Sequence, residues 1–134
     1  MSEKKILIVD DDRDTLLGMA IRLKASGYQV VSASDAVTAI SVARKELPDV
    51  ILLDLGLPGG DGFVVMDRLR NLIPTATIPV IVISARDPHG NQERAQKAGA
   101  LAFFQKPADN DLLLAAIRKA LGQPAPVKSE AAQS

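Results

Sequence analysis

Four stretches of this chain place reactive side chains directly after apolar runs. Asp10, Asp11 and Asp12 follow Ile6 to Val9, and Asp54 follows Val50 to Leu53. Ser84 follows Val80 to Ile83, and Lys106 with Pro107 follows Ala102 to Gln105. Three carboxylates brought close together repel one another unless a cation lies among them. A small set of hard oxygen ligands suits Mg²⁺ (or Mn²⁺), which keeps several waters and takes a phosphate oxygen readily. A carboxylate is also a nucleophile toward phosphorus and gives an aspartyl phosphate. A lysine would neutralise the arriving phosphoryl group, and a hydroxyl would bond one of its oxygens. Positioning and charge neutralisation are most of what phosphoryl transfer requires.

That chemistry needs the four stretches to meet, so the elements that carry them must share one edge. The runs Lys5 to Val9, Tyr28 to Ala33, Val50 to Asp54, Val80 to Ile83 and Ala102 to Gln105 read as five strands. The all-apolar runs among them are the mark of strands buried on both faces. Helical spacing lies between them. Leu16, Met19, Ala20 and Leu23 make one apolar face, closed by Gly27. Ala36, Ile40, Ala43 and Leu47 make the next, capped by Ser34 or Asp35 and stopped by Pro48. Phe63, Met66, Leu69 and Ile73 follow a cap at Asp61. Asp87 to Ala98 is polar and reads as a weaker helix closed by Gly99. Asn110 to Leu121 turns Leu113, Ala116, Ile117 and Ala120 inward. Strands alternating with helices predict an α/β fold, a doubly wound five-stranded parallel sheet in a single domain. In such a sheet every strand's carboxyl end lies on one rim, where ligands bind.

Composition narrows the function classes. The 134 residues are 47% hydrophobic and 24% charged, enough for one domain with a proper core. Sixteen basic and sixteen acidic residues balance, which removes the general electrostatic case for nucleic acid or an anionic membrane surface. No Cys exists to build a disulfide, a thiol nucleophile or a Cys-based zinc site, and His89 is the one histidine. There is no signal-peptide pattern and no apolar run of membrane-spanning length, so a cytoplasmic protein is expected. Residues 123–134 are rich in Ala, Pro and Ser and are expected to be a disordered tail or linker after a domain at 1–122.

Each motif is weak taken singly. Acids favour helix starts, a lone lysine is usually solvated, and the glycines from Gly56 to Gly62 alone mean a turn. Jointly they are specific: an apolar run with Asp10-Asp11, then Asp54-x-x-Leu57-Pro58-Gly59-x-Asp61-Gly62, then Ile83-Ser84-Ala85, then Lys106-Pro107. In these the chain resembles a response-regulator receiver domain of two-component signalling, over roughly Lys4 to Leu121. The resemblance implies a flavodoxin-like fold with strand order 2-1-3-4-5. It implies Asp54 as phosphoacceptor, Asp11 as direct Mg²⁺ ligand, Asp10 acting through a metal-bound water, and the Gly56 carbonyl as a further ligand. It also implies Lys106 as the phosphate-binding lysine with a cis bond to Pro107, Ser84 as the switch hydroxyl and Phe103 as the switch aromatic. Gly56 and Arg86, beside the site, are expected to tune how long the modified form lasts. Asp12 has no implied role.

The expected function is then a phosphorylation-operated signalling switch and not an enzyme. A sensor histidine kinase or phosphotransfer protein donates the phosphoryl group. The surface of the fourth helix, fifth strand and fifth helix is reshaped for a partner or effector. An alternative is a receiver-like module that binds partners without phosphorylation; those usually lack an acid or the lysine. A haloacid-dehalogenase-type phosphohydrolase needs Asp-x-Asp-x-Thr/Val, and counting from Asp10 or Asp12 puts Asp14 or Leu16 in the last position. An EF-hand fails because Thr15 and Ile21 stand at its Gly and Glu positions. Neither direct nucleic-acid binding nor a membrane association by this chain is expected.

Overall fold

The computed structural model describes residues 3–58 and 61–124. Gly59 and Gly60 of the expected turn, and the tail from residue 125, lie outside them. The strands are β1 (Lys5–Val9), β2 (Gln29–Ala33), β3 (Val50–Leu53), β4 (Val80–Ser84) and β5 (Ala102–Gln105). Between and after them come α1 (Arg13–Ala25), α2 (Ala36–Glu46), α3 (Gly62–Arg70), α4 (Pro88–Lys97) and α5 (Asn110–Ala120). All strand pairs are parallel and the order is β2-β1-β3-β4-β5, the expected topology.

Because side chains alternate along a strand, the runs Ile6 to Val9, Val50 to Leu53 and Val80 to Ile83 can be apolar throughout only if both faces are covered. Ile6, Ile8, Val50, Leu52, Ile81 and Ile83 pack with Met19 and Leu23 of α1 and Leu113 and Ile117 of α5. Leu7, Val9, Ile51, Leu53, Val80 and Val82 pack on the other face with alanines of α2 and with Phe63, Met66 and Leu69 of α3. Each large side chain buried this way contributes about 1.5–3 kcal/mol before entropy is counted. The pairing of Val9 with Leu53 makes Asp10 and Asp54 leave the sheet side by side, while β4, paired through Leu53 and Val82, runs on to Ser84. Three backbone bonds carry the ladder onto the rim: Asp10 N to Ala33 O (3.1 Å), Asp54 N to Val9 O (2.9 Å) and Lys106 N to Ser84 O (2.8 Å).

Every helix starts on that same rim with an aspartate cap: Asp12, Asp35, Asp61, Asp87 and Asp109 each accept a backbone N–H of the first turn. Such a cap is worth about 1 kcal/mol. α4 is the least anchored. Gly90 at φ 79° breaks its first turn, and Ala95 is its one buried residue. Two arginines tie it to α3: Arg94 stacks 3.9 Å over the Phe63 ring, and Arg70 Nη1 donates to Ala98 O at 2.7 Å.

Two residues expected inside lie outside. Leu47 is 52% exposed because Pro48 disfavours helical backbone before it, and Leu47 ends α2 in the left-handed region at φ 46°. Ala39 is buried on that helix instead. Ile73 is 92% exposed because α3 stops at Arg70 and Ile73 opens a separate 3₁₀ turn, Ile73–Thr75.

The close approach of α3 to β3 has a direct test. A Cβ added at Gly62 would lie 2.7 Å from the Asp54 carbonyl oxygen and 2.7 Å from Leu55 Cα, both backbone atoms. Gly62→Ala is expected to cost about 1–3 kcal/mol in urea unfolding. An unchanged midpoint would mean that α3 does not seat this closely.

Candidate functional site

Asp10 and Asp54 end up beside each other and almost buried, at 3% and 8% exposure. One cation serves both. Lys106 Nζ donates to Asp10 Oδ2 at 2.6 Å and to Asp54 Oδ2 at 3.5 Å. The remaining oxygens take backbone donors: Asp54 Oδ1 accepts from Gly56 N at 3.2 Å, and Asp10 Oδ1 from Asp12 N at 2.9 Å. Asp11 is exposed at the edge, and one carboxylate oxygen from each of Asp10, Asp11 and Asp54 lies within 4.8 Å of the others.

The electrostatics follow from this unequal sharing. Burial pushes the Asp54 carboxyl above its ordinary value; the Gly56 N–H and Lys106 oppose the rise without cancelling it, and the charge of Asp10 adds to it. For Lys106 burial alone would favour the neutral amine. The hydrogen bond to Asp10 and the charges of Asp54 and Asp10 outweigh that and leave its pKa raised. The shorter contact explains why Asp10, and not Asp54, is the principal partner of the ammonium.

Asp10, Asp11, Asp54 and Lys106 therefore lie together, with the Gly56 N–H on Asp54; the other expected residues are placed as follows. Ser84 is fully buried and its Oγ accepts from Arg86 N at 3.0 Å. Phe103 is half-buried against the side of the sheet that carries α3, and Phe104 packs on the opposite side. The Lys106–Pro107 bond is cis. Asp12 stands apart from its two neighbours. It caps α1, and the Thr15 hydroxyl, 2.6 Å from Asp12 Oδ2, is the main reason its carboxyl is held below the usual range. An aspartate directly before the helical spacing is the cap signal that could have assigned it. The motifs also missed an ion pair over the rim, Arg86 Nη2 to Asp61 Oδ2 at 3.1 Å.

Hard oxygen donors at this mutual distance fit a small divalent cation, which would offset the repulsion that Asp10 adds to the burial of Asp54. The three carboxylates are the group of this kind found among the described residues.

The response regulator receiver domain family matches residues 6–118, and the chain belongs to that family. These are regulatory phosphoacceptor domains of two-component signalling, and homologues of the chain are response regulators. Response regulator PleD of Caulobacter vibrioides is 40% identical over 114 residues, 85% of this chain but 25% of PleD. The chain thus spans about a quarter of that relative's length. Sporulation initiation phosphotransferase F of Bacillus subtilis is 33% identical over 129 residues, covering 96% of this chain and 99% of the relative. Among solved structures, the receiver domain of the sensor histidine kinase PA1611 from Pseudomonas aeruginosa PAO1 superposes with a TM-score of 0.83. It is 25% identical, the match covers 91% of this chain and 100% of that one, and a magnesium ion is coordinated in its active site cleft. No helix among the described residues is long and apolar enough to cross a membrane.

A carboxyl whose pKa is raised by folding adds stability that is fully present below its unfolded value and is lost as pH rises through the folded value. Asp54→Asn removes that loss. Without divalent metal it is expected to stabilise the fold at neutral pH by about 1 kcal/mol, roughly 4 °C in Tm. The gain should fade toward about pH 3, where Asp54 is protonated in both states. Thermal melts of both forms in chelator across this range check it, and a pH-independent difference would contradict the electrostatic account.

Proposed function

We propose that this chain is a phosphorylation-operated signalling switch with Asp54 as its phosphoacceptor. The observation that carries the reading is the buried Asp54 carboxyl beside Asp10 and Asp11, with Lys106 as the shared cation. Burial strips water from the carboxylate and so strengthens it as a nucleophile. A carboxylate oxygen of Asp54 attacks phosphorus, the bond from phosphorus to the donor's imidazole nitrogen breaks, and the imidazole keeps the electron pair. The donor is a sensor histidine kinase or a phosphotransfer protein.

Asp10, Asp11, Asp54 and the Gly56 carbonyl would hold Mg²⁺ (or Mn²⁺), which supplies charge neutralisation for the carboxylates and for phosphoryl oxygens. Lys106 neutralises the transferred group from the other side. The Ser84 hydroxyl turns from the Arg86 N–H to a phosphoryl oxygen, Phe103 moves inward behind it, and the α4–β5–α5 surface changes for a partner or effector. The chain supports its own phosphorylation and dephosphorylation and catalyses nothing else. Residues 1–122 form the receiver unit, 123–134 a tail or linker, and the protein works in the cytoplasm without contacting nucleic acid or membrane itself.

Intact mass after incubation with acetyl phosphate tests the reading. A base-labile gain of one phosphoryl group is expected for wild type with Mg²⁺, and none for Asp54→Asn. An adduct that persists in the mutant sinks Asp54 as the acceptor. Wild type that takes no phosphoryl group from acetyl phosphate or a kinase favours a phosphorylation-independent binding module.

Asp11→Ala checks the metal assignment separately. Calorimetric titration with Mg²⁺ should show affinity lowered about tenfold or more, with the circular dichroism spectrum unchanged. Undiminished binding would remove Asp11 from the ligand set.

A further inference from the structure

Arg86 sits two residues beyond Ser84 in the β4–α4 connection and holds two groups at once. Its backbone N–H donates to Ser84 Oγ at 3.0 Å, and its guanidinium Nη2 donates to Asp61 Oδ2 at 3.1 Å. Asp61 is itself fixed, because its other oxygen caps α3 through Phe63 N at 2.9 Å. The next residue, Gly62, donates to Leu55 O at 2.9 Å and lies against the Asp54 carbonyl. The Arg86–Asp61 pair therefore bridges the rim beside Asp54, from the start of α3 to the connection that leads into α4. Its side chains are 38% and 34% exposed, so the pair is easily exchanged and holds by no more than about fivefold.

We propose that Arg86 is a phosphoryl-binding residue with two alternative partners: Asp61 in the unmodified chain, and phosphoryl oxygens on Asp54 in the modified one. This rests on the reading of Asp54 as phosphoacceptor. A phosphoryl group adds a charge of about −1.5 to −2 and three acceptor oxygens. Lys106 is already committed to two carboxylates. A guanidinium binds phosphoryl oxygens through two parallel bonds, which a half-exposed single contact to Asp61 does not match. The exchange also acts on Ser84. Ser84 Oγ accepts the N–H of the residue that moves and keeps its own O–H to donate, so capture of the Arg86 side chain draws the hydroxyl toward the same phosphoryl group. Asp61 is then the competitor that holds the unmodified arrangement and sets how much the incoming group must overcome.

The test uses beryllofluoride with Mg²⁺ as the probe for the phosphoryl position. Asp61→Asn keeps a good helix cap but loses the charge, and is expected to bind the probe about two- to fivefold more tightly. Arg86→Gln is expected to bind it about fivefold more weakly or worse. The gain from Asp61→Asn should vanish in the Arg86→Gln background, as a double-mutant cycle requires if the two residues act on each other. In wild type the NMR signal of the Arg86 Nε–H should shift on saturation, a change that a merely structural arginine would not report. Unchanged or weaker binding by Asp61→Asn overturns the proposal. So does a gain that survives without Arg86, or a static Arg86 signal in saturated wild type. Wild type that fails to bind the probe, or Asp54→Asn that binds it equally well, overturns the phosphoacceptor reading instead.

Discussion

At the carboxyl end of the sheet two nearly buried carboxylates depend on one ammonium, and the rest of the rim is arranged around that shortage of positive charge. Lys106 reaches Asp10 at 2.6 Å and Asp54 only at 3.5 Å. Unit charges about 4 Å apart near a protein surface interact by about 4 kcal/mol at an effective dielectric constant near 20, so the imbalance is not small. It can be relieved by a proton on Asp54, by a cation among the carboxylates, or by turning the Asp54 oxygen into a bond to another atom. Burial, with the charge of Asp10 added to it, raises the Asp54 pKa and so inclines the carboxyl toward the first of these. The other two are the chemistry attributed to the site, and all three answer the same electrostatic need.

A rim under this tension requires a frame that does not yield to it. β1, β3 and β4 are closed in on both faces, and β3 has no exposed residue. Moving Asp54 away from Asp10 would break the bond from Asp54 N to Val9 O and disturb packing on both sides of the sheet. The carboxylates are held together by a core that gains nothing from their proximity. Change is left to side chains at the rim, where the Ser84 hydroxyl meets a single backbone N–H and Arg86 a half-exposed ion pair.

Much of this was legible in the residues because apolar runs and breakers carry strand and helix order directly. Val80 to Ile83 can hardly be anything but a buried strand, and Gly27, Pro48 and Gly99 mark real ends. Periodicity failed where a helix stopped before its pattern did. The spacing from Phe63 runs on to Ile73, but Asn71 already caps α3. Leu47 continues the stripe of α2 on paper, but Pro48 disfavours helical backbone there and Leu47 turns outward in the left-handed region. Among the site residues, position in the chain identified Asp10, Asp11, Asp54, Ser84 and Lys106 as neighbours, since strand ends share one edge. The separation of Asp12 from Asp10 depends on cap geometry. The pairing of Arg86 with Asp61 joins two connections 25 residues apart with no repeat to announce it.

α4 differs from the other helices in what fastens it. One buried alanine and a set of arginine contacts, from Arg70, Arg86 and Arg94 to groups on the α3 side and its own end, take the place of an apolar stripe. Salt screens exposed charges over a Debye length of about 8 Å at physiological ionic strength, whereas strongly hydrated salts reinforce apolar burial. A strongly hydrated salt therefore acts in opposite senses on the two, screening the Arg86–Asp61 pair before α4 while reinforcing the apolar burial of the sheet beneath it. The solvent itself becomes a variable that sets how far this one helix is free to move on an otherwise fixed body.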